Sequence, residues 1–85
     1  MIFTAQIKVM PLKNLLDPQG KAVMGGLINL GIKGINDVRI GKQIDLTIEA
    51  ENETEAREKA DDAAKKLLAN AVMEMYEITI SQIAN

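Results

Sequence analysis

The first segment of the chain alternates apolar and polar residues with a period of two. Odd positions from Phe3 to Val9 are apolar, and the intervening positions are polar. This alternation is typical of a β-strand with one buried face, and Pro11 is predicted to end it.

A helix is predicted next, over residues 18–30. Asp17 can cap the helix, and Pro18 occupies the first helical position, where its missing N–H costs nothing. Gly31 is a good terminator. Apolar residues three and four positions apart predict a buried stripe on this helix: Val23, Met24, Leu27, Ile28 and Leu30. Gly25-Gly26 weakens the helix by about 1 kcal/mol per glycine relative to alanine. The pair predicts close packing against a neighbouring element.

The middle of the chain, residues 36–49, allows two alternatives. Its apolar positions keep even parity from Val38 to Ile48, straight through Gly41-Lys42. Either a loop at residues 41–43 joins two short strands in a hairpin, or one long strand bends at Gly41. A single strand over 35–49 would extend about 45 Å at roughly 3.3 Å per residue, and so would need a partner chain to cover its overhang. We favour the long bent strand.

A second helix is predicted to begin at Asn52, which forms a capping box with Glu55, although Thr54 is an alternative cap. Its buried stripe is predicted to contain small and branched residues: Ala56, Ala60, Ala63, Ala64, Leu67 and Leu68. Acids four residues before lysines predict a solvated face of ion pairs. Asn70 is predicted to end the helix in a left-handed conformation, and a last strand follows around residues 76–80.

These elements predict one α+β domain over residues 1–85. We expect a two-layer sandwich in which two helices cover one face of an antiparallel sheet, in the order β-α-β-α-β. If the middle strand folds back, the order becomes β-α-β-β-α-β, which is ferredoxin-like.

The composition narrows the chemistry. The chain has no His and no Cys, which removes the usual nucleophile–base pairs and most transition-metal sites. A net charge of −2 and two aromatic residues argue against nucleic-acid binding. No segment is apolar enough to span a membrane or to act as a secretory signal, so we expect a cytoplasmic protein. The pair Asp61-Asp62 is disfavoured as a magnesium site because lysines follow four residues later. So small a core favours self-association.

Arg39 and Lys42, with Lys21, form a candidate basic spot. It has three interpretations that the residues alone leave open: a phosphate site, a site for a partner's carboxylate, or surface charges beside a turn.

Three runs of residues carry a family resemblance. They are Leu16–Val23 (LDPQGKAV), Val38–Lys42 (VRIGK) and Leu67–Asn70 (LLAN), the last followed by Val72 and Glu74. Together they resemble the PurS subunit of phosphoribosylformylglycinamidine (FGAM) synthase, in order and over nearly the whole chain. The chain departs from the family pattern at Gly25-Gly26, where better helix formers are usual, and at Ala71, where proline is frequent.

The resemblance implies a non-catalytic subunit of a glutamine-dependent ligase. In that family a glutaminase subunit, PurQ, releases ammonia, and a large synthetase subunit, PurL, uses ATP and Mg²⁺ to convert formylglycinamide ribonucleotide to the amidine in purine biosynthesis. The small subunit, generally a dimer, bridges the two and supports ammonia transfer. For this chain the resemblance implies no bound cofactor and no binding to nucleic acid or to a membrane.

The resemblance also implies which residues face partners. At a loop-to-helix corner they are Asp17, Pro18, Gln19, Gly20 and Lys21; at a bend they are Arg39, Gly41 and Lys42; Asn70 completes the set. The structural alternative for each is maintenance of the fold. The rival function is a stand-alone ferredoxin-like or ACT-like ligand-binding or interaction module, which usually has a glycine-rich turn after its first strand. Residues 11–16 contain no glycine.

Overall fold

The architecture is a three-stranded antiparallel sheet with two helices, in a computed structural model that describes all 85 residues. The elements in chain order are β1 (Ile2–Pro11), α1 (Pro18–Asn29), β2 (Lys42–Glu49), α2 (Glu53–Ala63), a π-helical turn (Ala64–Leu68) and β3 (Glu74–Ala84). The strand order is β2-β1-β3. The predicted α+β class and the order β-α-β-α-β are confirmed, and the ferredoxin-like alternative is not formed. Neither helix is long and apolar enough to cross a membrane.

The core lies between the sheet and α2. The odd positions of β1 are buried, as their alternation predicted, with Ile7 and Val9 the largest fully buried side chains. Ala56, Ala60 and Ala64 face them at intervals of four residues and are fully buried. Because alanine has a small side chain, α2 can lie close against the strands. The even positions of β1 point to the opposite, polar face of the sheet.

Helix α1 is separate from this core. Helix α2 packs against all three strands, whereas α1 makes no comparable contact with any of them. Its apolar stripe is therefore mostly exposed: Ile28 is 62% and Leu30 76% exposed, while Met24 and Leu27 are half-buried. A Cβ on Gly25 or Gly26 would meet nothing within 4 Å, so the predicted close packing there is absent from the single chain. The predicted boundaries hold: Asp17 caps the helix, and Gly31 follows it with φ +77°.

The middle of the chain is neither a hairpin nor one long strand. The ladder between β1 and β2 runs only from Val9 opposite Lys42 to Ile2 opposite Glu49, and residues 32–41 have no strand partner. The regular strand starts late because the Ile40 N–H is bonded to the Asp17 carboxylate, 23 residues away. Gly41 keeps a negative φ, so its place does not depend on the bend we predicted. Instead, a Cβ at Gly41 would lie 2.5 Å from the carbonyl oxygen of Val9.

The second helix begins as predicted but ends differently. The Asn52 side chain accepts a hydrogen bond of 2.8 Å from the Glu55 N–H, so Asn52, not Thr54, is the cap. The helix then widens into the π-helical turn, which takes more residues per turn than an α-helix. Leu68 packs against the core in consequence, and Leu67, predicted to be buried, is 83% exposed.

Asn70 does not end the helix in a left-handed conformation, because no residue other than glycine has a positive φ. Asn70 instead builds the turn into β3. Its side chain accepts from the Val72 N–H at 3.1 Å, and its carbonyl accepts from the N–H groups of Met73 and Glu74.

The predicted ion pairs on the solvated face of α2 and the π-helical turn all form. Their N–O distances are 3.2 Å for Lys59–Glu55, 2.9 Å for Lys65–Asp61 and 3.1 Å for Lys66–Asp62.

Candidate partner-binding corner

The sequence motifs converge at one end of the molecule, which we call the corner. It contains the loop after β1 (residues 12–17), the first turn of α1, the segment 37–41 and the turn 70–73. Of the residues that the resemblance assigned to partners, most line the two cavities found here: Asp17, Pro18, Gln19, Lys21, Arg39 and Asn70. Gly20 is buried beside them.

Asp17 holds the corner together. One carboxylate oxygen accepts from the Gly20 N–H at 2.9 Å, and the other accepts from the Ile40 N–H at 2.9 Å. The first bond caps α1, and the second attaches the segment before β2 to the base of that helix. The bonds from Gly20 and then Ile40 hold the pKa of the Asp17 carboxyl below its usual value, because they stabilise the ionised form.

Gly20 permits the close approach of these two segments. A Cβ at this position would lie 2.2 Å from the carbonyl oxygen of Val38 and 2.8 Å from an Asp17 carboxylate oxygen. Any side chain would force the first turn of α1 away from the segment 37–41. Glycine is thus needed here for space, since its φ is ordinary.

A hydrogen bond within the chain holds the Arg39 side chain in place. The residue is half-buried, and its guanidinium donates a hydrogen bond to the carbonyl of Pro11. It therefore connects the end of β1 to the segment before β2 in addition to presenting charge. A substitution at Arg39 would alter the fold of the corner as well as its electrostatics.

The predicted basic spot forms with different members. A cavity of about 160 Å³, the basic groove, is lined by three cations and two carboxylates together with apolar residues: Lys13, Lys21, Arg39, Asp17, Asp37, Leu15, Leu16 and Val38. Lys42 is absent from it and lies exposed at the start of β2. Lys13 was not predicted as a member, because it lies in a loop with no periodicity. Its only signal in the sequence is a cation four residues before Asp17.

A second cavity, of about 300 Å³, lies beside the basic groove; we call it the apolar pocket. Its lining is Pro11, Leu15, Leu16, Asp17, Pro18, Gln19, Asn70, Met73 and Glu74. Leu16 is 67% and Met73 54% exposed here. Asn70 donates its backbone N–H to the Glu74 carboxylate at 2.8 Å, which fixes the turn that carries Met73. The first and third sequence motifs thus meet in this pocket.

Outside the corner, the groups whose pKa is shifted have partners within the chain. Asp61 accepts a 2.6 Å hydrogen bond from the Tyr76 hydroxyl and pairs with Lys65. The Tyr76 bond lowers the pKa of Asp61 and raises that of Tyr76, since it favours the carboxylate and the protonated phenol. No group of three or more potential metal ligands occurs in the structure. The corner combines charged and apolar residues around two neighbouring cavities.

Comparison with known proteins identifies the family. The family model described as PurS, phosphoribosylformylglycinamidine (FGAM) synthase, matches residues 4–82. The PurS subunit of Synechocystis sp. is 50% identical over 68 residues, which cover 78% of this chain and 68% of that protein. The crystal structure of Methanocaldococcus jannaschii PurS has a TM-score of 0.87 and 34% identity, covering 96% of this chain and 99% of that one. The PurLQS structure from Thermotoga maritima contains a chain with a TM-score of 0.88 and 33% identity, covering 95% and 99%. The chain therefore belongs to the PurS family, the PurS subunits of phosphoribosylformylglycinamidine synthase.

Proposed function

We propose that this chain is the small, non-catalytic subunit of a cytoplasmic FGAM synthase complex. It bridges a glutaminase subunit, PurQ, and an ATP- and Mg²⁺-dependent synthetase subunit, PurL, and supports ammonia transfer between them. Family membership supports this role, and so does the existence of a related chain within a PurLQS structure. The absence of His and Cys is compatible with catalysis residing in the partner chains.

The exposed apolar stripe of α1 is the structural observation that carries the proposal, because a subunit of a complex is expected to have apolar surface that other chains cover. An isolated helix of 12 residues is marginal in water, and α1 receives little packing from its own chain. Its exposed apolar stripe must therefore be covered in the working molecule. We propose that a second copy covers it in a homodimer, while the corner remains available to the partner subunits.

The rival interpretation as a stand-alone ferredoxin-like or ACT-like module loses its main support. The sheet has three strands, so the fourth strand of that fold is missing. The matched family also consists of subunits of a larger enzyme.

Reconstitution tests the bridging role. Purified synthetase and glutaminase subunits are assayed for FGAM formation with and without this chain, using glutamine or ammonium chloride as nitrogen source. We expect omission of the chain to abolish most glutamine-dependent turnover and to leave ammonium-dependent turnover unchanged, because free ammonia needs no route between subunits. Equal glutamine-dependent rates with and without the chain would refute the bridging role.

Light scattering tests the role of α1. The parent chain is expected to be a dimer or larger at micromolar concentration, and Val23→Glu with Leu27→Glu is expected to shift it towards monomer, because two carboxylates then occupy the apolar stripe. Leu67→Glu is the control, since Leu67 is exposed but lies outside α1. A compact monomeric parent, or an equal effect of the control, would contradict this assignment.

A further inference from the structure

The corner combines a basic groove and an apolar pocket that share one wall. We propose that this pair of cavities binds a segment of a partner subunit in which an acidic side chain stands next to an apolar one. This inference rests on the proposed function and specifies the chemistry of the contact. Either cavity alone would select only one of these two side chains.

The basic groove contains more cations than carboxylates. Lys13, Lys21 and Arg39 form no ion pair, whereas the three ion pairs of the chain all lie on α2 and the adjoining turn. Asp17 already accepts two backbone N–H groups, and Asp37 accepts the Val38 N–H at 2.9 Å. The five charged groups sum to +1 in a chain whose net charge is −2. An incoming carboxylate would complement this local excess of positive charge.

Two polar residues of the apolar pocket, Asn70 and Glu74, already have hydrogen-bond partners within the chain. Glu74 bonds to the Asn70 N–H, and the Asn70 side chain bonds to Val72. The residues that the pocket exposes include Leu15, Leu16 and the adaptable side chain of Met73. Its size and lining suit an apolar side chain, and burial of such an anchor is a usual source of affinity at interfaces.

The shared wall makes the two cavities one site. Leu15, Leu16 and Asp17 line both. A free phosphate would occupy only the basic groove, and a purely apolar surface would leave the three cations unpaired and partly desolvated, which costs free energy. A protein segment with neighbouring acidic and apolar side chains satisfies both cavities.

Carbodiimide cross-linking tests the acidic half directly, because it joins a lysine amine to a carboxylate in contact with it. The assembled complex of this chain with its synthetase and glutaminase subunits is treated and the joined peptides are mapped by mass spectrometry. We expect Lys13 or Lys21 joined to an Asp or Glu of a partner subunit. Cross-links of these lysines only to carboxylates of this same chain, or partner cross-links only from other lysines, would overturn the proposal.

Matched variants test both halves by titration of the partner subunits. Lys13→Glu with Lys21→Glu is expected to weaken binding about tenfold or more, while Lys8→Glu with Lys33→Glu, which changes the net charge equally at exposed sites elsewhere, changes it less than about twofold. Leu16→Ser is expected to weaken binding about tenfold, against Leu67→Ser as its control. Equal losses within either pair overturn the proposal. Failure of the parent chain to bind the subunits at all would instead overturn the proposed function.

Discussion

Gly20→Ala is a sharp test of how the corner is built. Gly20 is the third residue of α1 and is buried. The new Cβ would stand 2.2 Å from the Val38 carbonyl oxygen, far inside ordinary contact. Relief requires a backbone shift of about 1 Å, because neither group is the end of a flexible side chain. That shift would also stretch the bond between Asp17 and the Ile40 N–H.

The expected magnitude follows from two opposing effects. Overpacking against the backbone lowers the free energy of unfolding by about 3 kcal/mol. The better helix propensity of alanine raises it by about 1 kcal/mol. The net loss is about 2 kcal/mol of unfolding free energy, which corresponds to a fall in Tm of roughly 8–16 °C for a domain of this size. Urea unfolding followed by far-ultraviolet circular dichroism, at fixed protein concentration, measures it.

Gly25→Ala and Gly26→Ala are the matched controls in the same helix. A Cβ at either position meets nothing within 4 Å, so each substitution should stabilise the chain by about 0.5–1 kcal/mol. If Gly20→Ala also stabilised, the close approach of α1 and the segment 37–41 would be refuted. If instead the controls destabilised, this face of α1 would be in close contact with a second chain.

Two further predictions concern pH and the π-helical turn. The folded pKa of Asp17 lies below its unfolded value of 3.8, so its stabilisation is present above pH 3.8 and is lost as the pH falls through the lower, folded pKa. In urea titrations Asp17→Asn should lower the free energy of unfolding at neutral pH and reduce the amount that is lost on acidification. If the variant lost as much unfolding free energy on acidification as the parent, the role of this carboxylate would be contradicted. Leu67→Ala should leave stability within about 0.5 kcal/mol, whereas Leu68→Ala should cost about 1–2 kcal/mol. The reverse order would show that the helix continues without the π-helical turn.

The elements that the sequence predicted best are those specified by local patterns. The alternation in β1 and the Asn52 cap of α2 each depend on residues within a few positions, and both are confirmed. The stripe of α1 was predicted to be buried, and most of it is exposed in the single chain. Periodicity predicts that an apolar helix face will be buried, but it does not show whether the same chain or another chain buries it. That is why the exposure of Leu30 could not be predicted.

One long-range contact and two local departures from regular geometry account for most of the remaining differences. The start of β2 at Lys42 depends on the bond between Asp17 and Ile40, which no local pattern reveals. The exposure of Leu67 depends on the extra residue in the π-helical turn. At the corner, the motifs located most of the residues but grouped Lys42 with Arg39. Side chains three residues apart in an extended segment point to opposite sides, so Lys42 does not lie in the basic groove with Arg39. Lys13 contributes the third cation instead.

Asp17 connects the two proposed interfaces physically. Its carboxylate holds the first turn of α1 through Gly20 and the segment before β2 through Ile40, and the same residue lies in the wall between the basic groove and the apolar pocket. The direction in which α1 leaves the sheet is therefore set at the site that we assign to a partner subunit. A partner seated at the corner would restrict the base of α1, and a second copy packed on α1 would in turn fix the geometry of the corner. Since binding at each site lowers the entropy cost of ordering the other, dimer formation and assembly with the partner subunits are expected to be positively coupled.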